Sequence, residues 1–140
     1  MLPESIRAVF SIIGRLCLIT IFVMSAAGNK IPNYAAVAGV MESKGVPYPQ
    51  VSLALAIVFL ILGGIMVLVG YWARIGALLL AVFLVLATYY FHPFWGDMET
   101  AAREAQMVQF MKNLGLFGAM LFIIANGSGA GSLDNRRTTA

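Results

Sequence analysis

The sequence predicts an all-α fold, an integral membrane four-helix bundle with a short amphipathic helix between spans 1 and 2. Composition is the first observation behind this prediction: 61% of the 140 residues are hydrophobic and 11% are charged, with a mean hydropathy of +0.89. A soluble domain keeps roughly a quarter of its residues charged, so the shell that would face water is missing. The second observation is four apolar runs, each near the roughly 17–25 residues that a helix needs to cross a bilayer.

The predicted spans form a single four-span membrane domain over residues 1–140. They cover about residues 9–27, 51–70, 75–91 and 107–126. An unpaired backbone amide costs several kcal/mol in lipid, so these runs should be helices rather than open strands. The second and third runs contain no charged residue, and the four residues between them predict an antiparallel helical hairpin.

Aromatic side chains mark both ends of the third run. Tyr71 and Trp72 precede it, and Tyr89, Tyr90 and Trp95 lie at or after its end. Such rings settle at the level of the lipid headgroups, so they indicate the two membrane interfaces. Small residues within the runs indicate close helix packing. These small residues are Gly63, Gly64, Ala77, Ala81, Gly115, Gly118 and Ala119.

The longest polar stretch lies between the first and second runs. Pro32-Asn33 can start a short helix over Tyr34–Lys44, and Gly45 can end it. Its apolar residues recur at helical spacing, so this helix should lie on the bundle or at the membrane interface. Residues 98–107 form a helical lead-in to the fourth run, and the glycine-rich stretch after Asn126 ends that helix.

The distribution of basic residues predicts the orientation. With four spans, one side carries both termini and the link between the second and third runs. Its basic residues are Arg7, Arg15, Arg74, Arg136 and Arg137. The other side carries Lys30, Lys44, Arg103 and Lys112. Segments rich in Lys and Arg stay in the cytoplasm, so the sequence predicts a multi-pass inner-membrane protein with cytoplasmic termini.

The first run has a second interpretation. Arg7 and Arg15 precede an apolar stretch that ends in Ser25-Ala26-Ala27, a pattern that also suits a cleavable signal peptide over residues 1–27. However, the apolar stretch begins before Arg15 and is long enough to span, which favours a retained helix. The intact mass of the mature protein distinguishes the two.

Several function classes lack support in the sequence. The net charge of +3 is scattered and has no aromatic-rich basic stripe, so we expect no nucleic-acid partner. The single histidine and the single cysteine lie on different spans and have no metal-ligand spacing. Cys17 is expected to be a small buried apolar residue. No serine or cysteine has an evident His/Asp pairing for nucleophilic catalysis, so no catalytic residue is assigned.

Arg15 lies about two turns inside the first span, where a basic residue costs roughly 2.5–3.5 kcal/mol on insertion scales. One hypothesis is a structural ion pair with Asp134, which the glycine-rich stretch 127–132 would bring back against the bundle. The alternative is that the Arg15 guanidinium snorkels to the headgroups. The sequence does not decide between them.

A candidate ligand-binding group is expected on the side away from the termini. Its members are His92, Trp95, Gln109, Lys112 and Asn113. Gln109 lies three residues before Lys112 and four before Asn113, so these side chains should share a helix face. A histidine, a lysine and two amides beside aromatic rings suit a polar head group, such as a quinone carbonyl or a lipid phosphate. The alternative is that they bind one another and cap the loop backbone.

The ordered set of glycines, aromatics and polar residues resembles the DoxX family of small four-span membrane proteins. The likeness covers most of the chain. Its motifs are Gly14-Arg15 with Gly28 and Lys30, Gly45-Val46-Pro47, Leu62-Gly63-Gly64, Gly70 with Arg74, Phe91-His92 with Trp95, Gln109 with Lys112-Asn113-Leu114, and Gly127 with Gly129 and Ser132-Leu133-Asp134.

The resemblance implies an accessory subunit of a quinone-linked membrane redox system. Quinone is then the implied cofactor and a redox protein the implied partner, because the chain has no redox centre of its own. Members commonly carry a glutamate where this chain has Leu60, which puts any proton or ion role of that carboxylate in doubt. The alternatives are a binding or transport module for a small amphiphile or membrane lipid, and a structural or assembly protein. Self-association into a homo-oligomer stays open.

Overall fold

The computed structural model describes residues 2–138, and the side chains of residues 2–135. Within that range the chain is helical. Its elements are α1 (Glu4–Ser25), a π-turn (Ala26–Lys30), α2 (Tyr34–Ser43), α3 (Pro49–Val69), α4 (Ala73–Phe91), α5 (Thr100–Asn126) and α6 (Leu133–Thr138). The helix α1 with its π-turn, and α3, α4 and α5, are each long and apolar enough to cross a membrane. This confirms the predicted all-α fold with four long apolar helices and a short helix between the first two.

The hairpin of α3 and α4 forms the centre of the fold, with α5 packed on α4 and α1 packed on α3. Glycines allow α3 and α4 to approach closely. A Cβ atom on Gly63 would lie 2.8 Å from the carbonyl oxygen of Gly76, and one on Gly76 would lie 2.7 Å from Cβ of Met66. Small residues therefore set the packing of the hairpin, as expected for helices in lipid. Gly115 and Gly118 differ from that expectation, because they are exposed and a Cβ there would meet nothing within 4 Å.

The main apolar core joins the four long helices. It is built from Ile19 and Phe22 of α1, Leu60 and Val67 of α3, Leu80 and Leu84 of α4, and Met120 and Ile123 of α5. A second cluster joins α2 to the start of α3 through Ala38, Met41, Val46 and Leu53. The short helix therefore packs on the bundle, as its apolar spacing predicted.

Cys17 differs from its prediction. The residue is exposed on α1, whereas Ile19 and Phe22 of the same helix are buried. The hydropathy of the first span is uniform enough that its sequence does not indicate which face packs against α3. In a membrane the outer face meets lipid, so an exposed thiol there needs no polar partner.

The link between α3 and α4 is tight because two residues adopt left-handed backbone conformations. Gly70 has φ +70° and ends α3, while Trp72 has φ +50° and precedes α4. The C-terminal segment folds back onto this link. The Asp134 carboxylate accepts hydrogen bonds from the backbone N–H groups of Trp72 and Ala73, each at 3.0 Å. A negative charge at these amides satisfies donors at the start of α4 and complements the helix dipole.

Replacing Asp134 by Asn should destabilise this end of the bundle. The variant keeps one acceptor oxygen but loses the charge at the start of α4, so we expect the free energy of unfolding to fall by about 1 kcal/mol. Denaturant titration in a mild detergent measures the change. The control is Asp97→Asn, which removes an exposed carboxylate from the loop before α5 and should leave stability unchanged. Equal effects of the two variants would contradict the capping role.

Candidate functional site

A large cavity, open on its outer side, lies between the helices on the side of the bundle away from the termini. Its volume is about 940 Å³. The walls come from the end of α1 and the π-turn, α2, the first half of α3, the second half of α4 and one face of α5. Most of the lining is apolar. Volumes of roughly 300–1,000 Å³ are typical of sites that bind small molecules.

The π-turn directs Lys30 into this cavity. In a π-turn each backbone N–H donates to the carbonyl five residues earlier, and the N–H of Ile31 indeed donates to the carbonyl of Ala26 at 2.9 Å. The same spacing brings Lys30 next to Ser25, five residues earlier. Its Nζ donates to the Ser25 Oγ at 2.6 Å and lies 5.4 Å from the centre of the Phe83 ring on α4. The half-buried ammonium is thus held at the wall by a hydroxyl and an aromatic face.

Other polar groups accompany Lys30 on the wall. Asn29 lies immediately before Lys30 in the π-turn, and the amide of Asn33, on the following turn, donates to the backbone and side-chain oxygens of Asn29 at 3.2 and 3.4 Å. Ser52 donates its hydroxyl proton to the Pro47 carbonyl at 2.6 Å. The cavity therefore combines a small polar region with a larger apolar one, the pattern of a site for an amphiphile.

Two of the five predicted ligand-binding residues, His92 and Asn113, line this cavity. The Nδ1 atom of His92 lies 3.0 Å from Oε1 of Gln106, and the Asn113 amide donates to the Thr88 hydroxyl at 2.9 Å. Both side chains therefore already bind protein groups across the α4–α5 interface. Ligand binding by either stays a prediction.

The other three predicted residues lie elsewhere. Trp95 is 60% exposed, packs edge-on against Phe94 and Phe110, and borders a smaller cavity of about 290 Å³ beside α5. Gln109 and Lys112 bind each other at 3.1 Å on the exposed face of α5. Consecutive helix residues differ by about 100° around the axis, so Lys112 points away when Asn113 points inward. The structure thus divides the predicted set into two cavities and a surface pair.

Arg15 and Asp134 both lie at the opposite end of the bundle, beside the α3–α4 link. The Arg15 guanidinium, 5% exposed, donates to the carbonyls of Leu68 at 3.0 Å, Gly131 at 3.2 Å and Ser11 at 3.3 Å. Leu68 belongs to the last turn of α3, whose carbonyls lack helical partners.

The expected ion pair is therefore replaced by two helix-end contacts. Among the residues whose side chains are described, no ion pair joins Arg15 to Asp134. The cation satisfies the C-terminal end of α3 and the anion the N-terminal end of α4. Each charge thus complements the dipole of its own helix. The guanidinium is buried, and one of its partners is the Gly131 carbonyl of the C-terminal segment.

Sequence reasoning did not assign Lys30 to the site. Lys30 follows the predicted first span, and it was used only for the orientation and for the family resemblance. Nothing in a hydropathy pattern indicates that α1 continues through a π-turn to residue 30. The available signal was the serine five residues before the lysine, a spacing that matters only once the π-turn is known. Leu60, at the position where the resemblance implies a glutamate in other members, is fully buried in the apolar core.

Comparison with known proteins agrees with this architecture. The DoxX family model matches residues 10–93, which is more than half of the chain. The chain is 29% identical over 130 residues to the inner membrane protein YphA of Escherichia coli, covering 93% of this chain and 91% of the relative. It is 33% identical over 117 residues to the inner membrane protein YqjF of the same organism, covering 84% of each. No solved structure matches significantly. The chain therefore belongs to the DoxX family and is a multi-pass protein of the inner membrane.

Proposed function

We propose that this protein is a membrane-embedded binding module for a small amphiphile. The observation that carries the proposal is the cavity of about 940 Å³ with Lys30 at its wall. A tail would lie among the apolar side chains of α2, α3 and α4. The head group would lie at Lys30, near the amides of Asn29 and Asn33. With the termini in the cytoplasm, as the arginines predict, the head group would be held in the periplasmic half of the membrane.

A cavity of this kind is more specific than a packing defect. Ser25 and Phe83 orient the lysine from two different helices, and the π-turn brings it to the wall. π-turns are rare and occur frequently at functional sites. An ammonium exposed to hydrocarbon is costly, so its retention at the edge of an apolar space favours a function that uses it.

A quinone-linked accessory role is the second candidate. Five phenylalanine and tyrosine side chains line the cavity and would pack against a ring-shaped head group. They are Phe22, Phe59, Phe83, Tyr90 and Phe91. Lys30 can donate a hydrogen bond to a quinone carbonyl. In this form of the proposal a separate redox protein would supply the electrons, and this chain would hold the quinone.

Filling the cavity tests the proposal. Ala56 lines the cavity on α3, while Ala54 on the same helix is exposed outside it. In Ala56→Trp the indole should occupy the space of the tail, so any amphiphile that copurifies in mild detergent should fall at least about tenfold in native mass spectra. Ala54→Trp should retain it. Equal retention by both variants, or a wild-type protein that carries no amphiphile even after incubation with fatty acid or quinone, would overturn the proposal.

A further inference from the structure

Lys30 carries a charge that no acidic group in the cavity balances. Among the residues with described side chains, no Asp or Glu lines the cavity. The contacts of the Lys30 ammonium are the Ser25 hydroxyl at 2.6 Å and the Phe83 ring at 5.4 Å. A hydroxyl and a ring face orient a cation but do not neutralise it. The polar end of the cavity is therefore cationic.

The remaining polar lining does not change this conclusion. It consists of the neutral side chains of Ser25, Asn29, Asn33, Ser52 and Asn113, together with Tyr90 and His92. The Ser52 hydroxyl and the Asn113 amide already donate to protein oxygens. An ammonium has three N–H donors, and the serine takes one of them. The strongest interaction left at this wall is thus a hydrogen bond from Lys30 to an acceptor that enters the cavity.

The charge of that acceptor decides the strength of binding. The charged lysine already makes a hydrogen bond to any acceptor roughly twice as strong as a bond between neutral groups, and an anionic acceptor adds the direct attraction of opposite charges. The attraction between Lys30 and a charged acceptor is stronger where water is scarce, as it is beside the apolar walls of α3 and α4. A neutral head group would leave the lysine charge unbalanced in this environment, whereas an anion would balance it.

We propose that the amphiphile bound in this cavity carries an anionic head group, a carboxylate or a phosphate, that pairs with Lys30. This inference rests on the proposed amphiphile binding and names the class of ligand. The acyl chain would extend from the polar end into the apolar remainder of the cavity, past Leu53 and Leu84. Fatty acids and anionic phospholipids share this chemistry.

A pair of probes that differ only in head-group charge tests the inference. The protein, purified in an uncharged detergent, is titrated with cis-parinaric acid in buffer where the acid is ionised, and separately with its methyl ester. We expect the acid to bind about tenfold tighter than the ester. Lys30→Met should weaken binding of the acid to the level of the ester, and Lys30→Arg should keep the preference. Lys44→Met removes an exposed lysine outside the cavity and should change neither affinity.

Competition experiments distinguish a lipid phosphate from a fatty acid. Other outcomes show whether the anionic head group or the proposed function itself is wrong. Displacement by lysophosphatidic acid but not by inorganic phosphate would indicate a lipid phosphate, and displacement by oleate alone would indicate a fatty acid. Equal affinity of acid and ester in the wild type, with both lost in Ala56→Trp, would overturn the anionic head group and leave amphiphile binding standing. Binding of neither probe, or binding that Ala56→Trp does not affect, would overturn the proposed function itself. A preference for the acid that survives in Lys30→Met would show that Lys30 is not the partner.

Discussion

Gly70→Ala is expected to lower the free energy of unfolding by about 3 kcal/mol. The backbone of Gly70 has φ +70°, a left-handed conformation that costs a side-chain-bearing residue about 1–2 kcal/mol. The added Cβ would also overlap with Cβ of Ser132, and it would lie 2.5 Å from Nη1 of Arg15 and 2.9 Å from Oγ of Ser128. Overpacking of this kind typically costs about 1–3 kcal/mol. Denaturant titration in mild detergent measures the sum.

A matched control separates the cost of the left-handed backbone conformation from the cost of steric overlap. Gly45 also has a positive φ, +75°, but a Cβ there would meet nothing within 4 Å. Gly45→Ala should therefore cost about 1 kcal/mol, the conformational part alone. If the two alanine variants are equally stable, the C-terminal segment does not pack on the α3–α4 link as described.

Arg15→Met is expected to lower the free energy of unfolding by about 2–3 kcal/mol and to release the C-terminal segment. The substitution keeps much of the apolar volume but removes the donors to the carbonyls of Leu68 and Gly131. Hydrogen bonds from a charged group contribute about 1.5–3 kcal/mol each, and the gain from no longer burying a charge offsets part of the loss. Hydrogen exchange gives the second readout. The Asp134 amide, which donates to the Gly70 carbonyl at 2.7 Å, should exchange faster.

Arg7→Met is the control for Arg15→Met, because Arg7 lies exposed on the same helix. It should change neither stability nor exchange. Arg15→Lys should recover less than half of the loss, since a single ammonium cannot reach both carbonyls in the fork geometry of a guanidinium. Wild-type stability in Arg15→Met, with slow exchange at Asp134, would contradict the anchoring role.

The sequence was sufficient for most of the fold because lipid constrains it strongly. A run such as residues 51–70 has no charge and must pair its backbone internally, so its helix could be located within two residues of the observed Pro49–Val69. The first span was harder. Its apolar run suggested residues 9–27, whereas the helix begins at Glu4 and the turn continues to Lys30, because polar residues at an interface remain compatible with helical backbone.

The site could be predicted only in part, for geometric reasons. His92 and Asn113 were predicted to bind a ligand, and in the structure their side chains bind Gln106 and Thr88, so their ligand binding stays a prediction. Lys112 was grouped with Asn113, although adjacent helix residues face different directions. The position of Lys30 at the cavity wall depends on the π-turn, and a hydropathy pattern does not reveal such a backbone distortion. Arg15 and Asp134 lie at the same end of the molecule, where the side chain of each binds backbone carbonyls or amides.

The π-turn at Ala26–Lys30 also has a consequence for comparing homologous chains. Such a turn contains one residue more than a regular α-helical path, and removing that residue would rotate everything beyond it by about 100° around the helix axis. A relative that is one residue shorter between the counterparts of Ser25 and Lys30 would then present its lysine to the surrounding lipid. The number of residues in this stretch therefore indicates whether a homologue directs the counterpart of Lys30 into the bundle or towards lipid. The count needs only the sequence of the homologue.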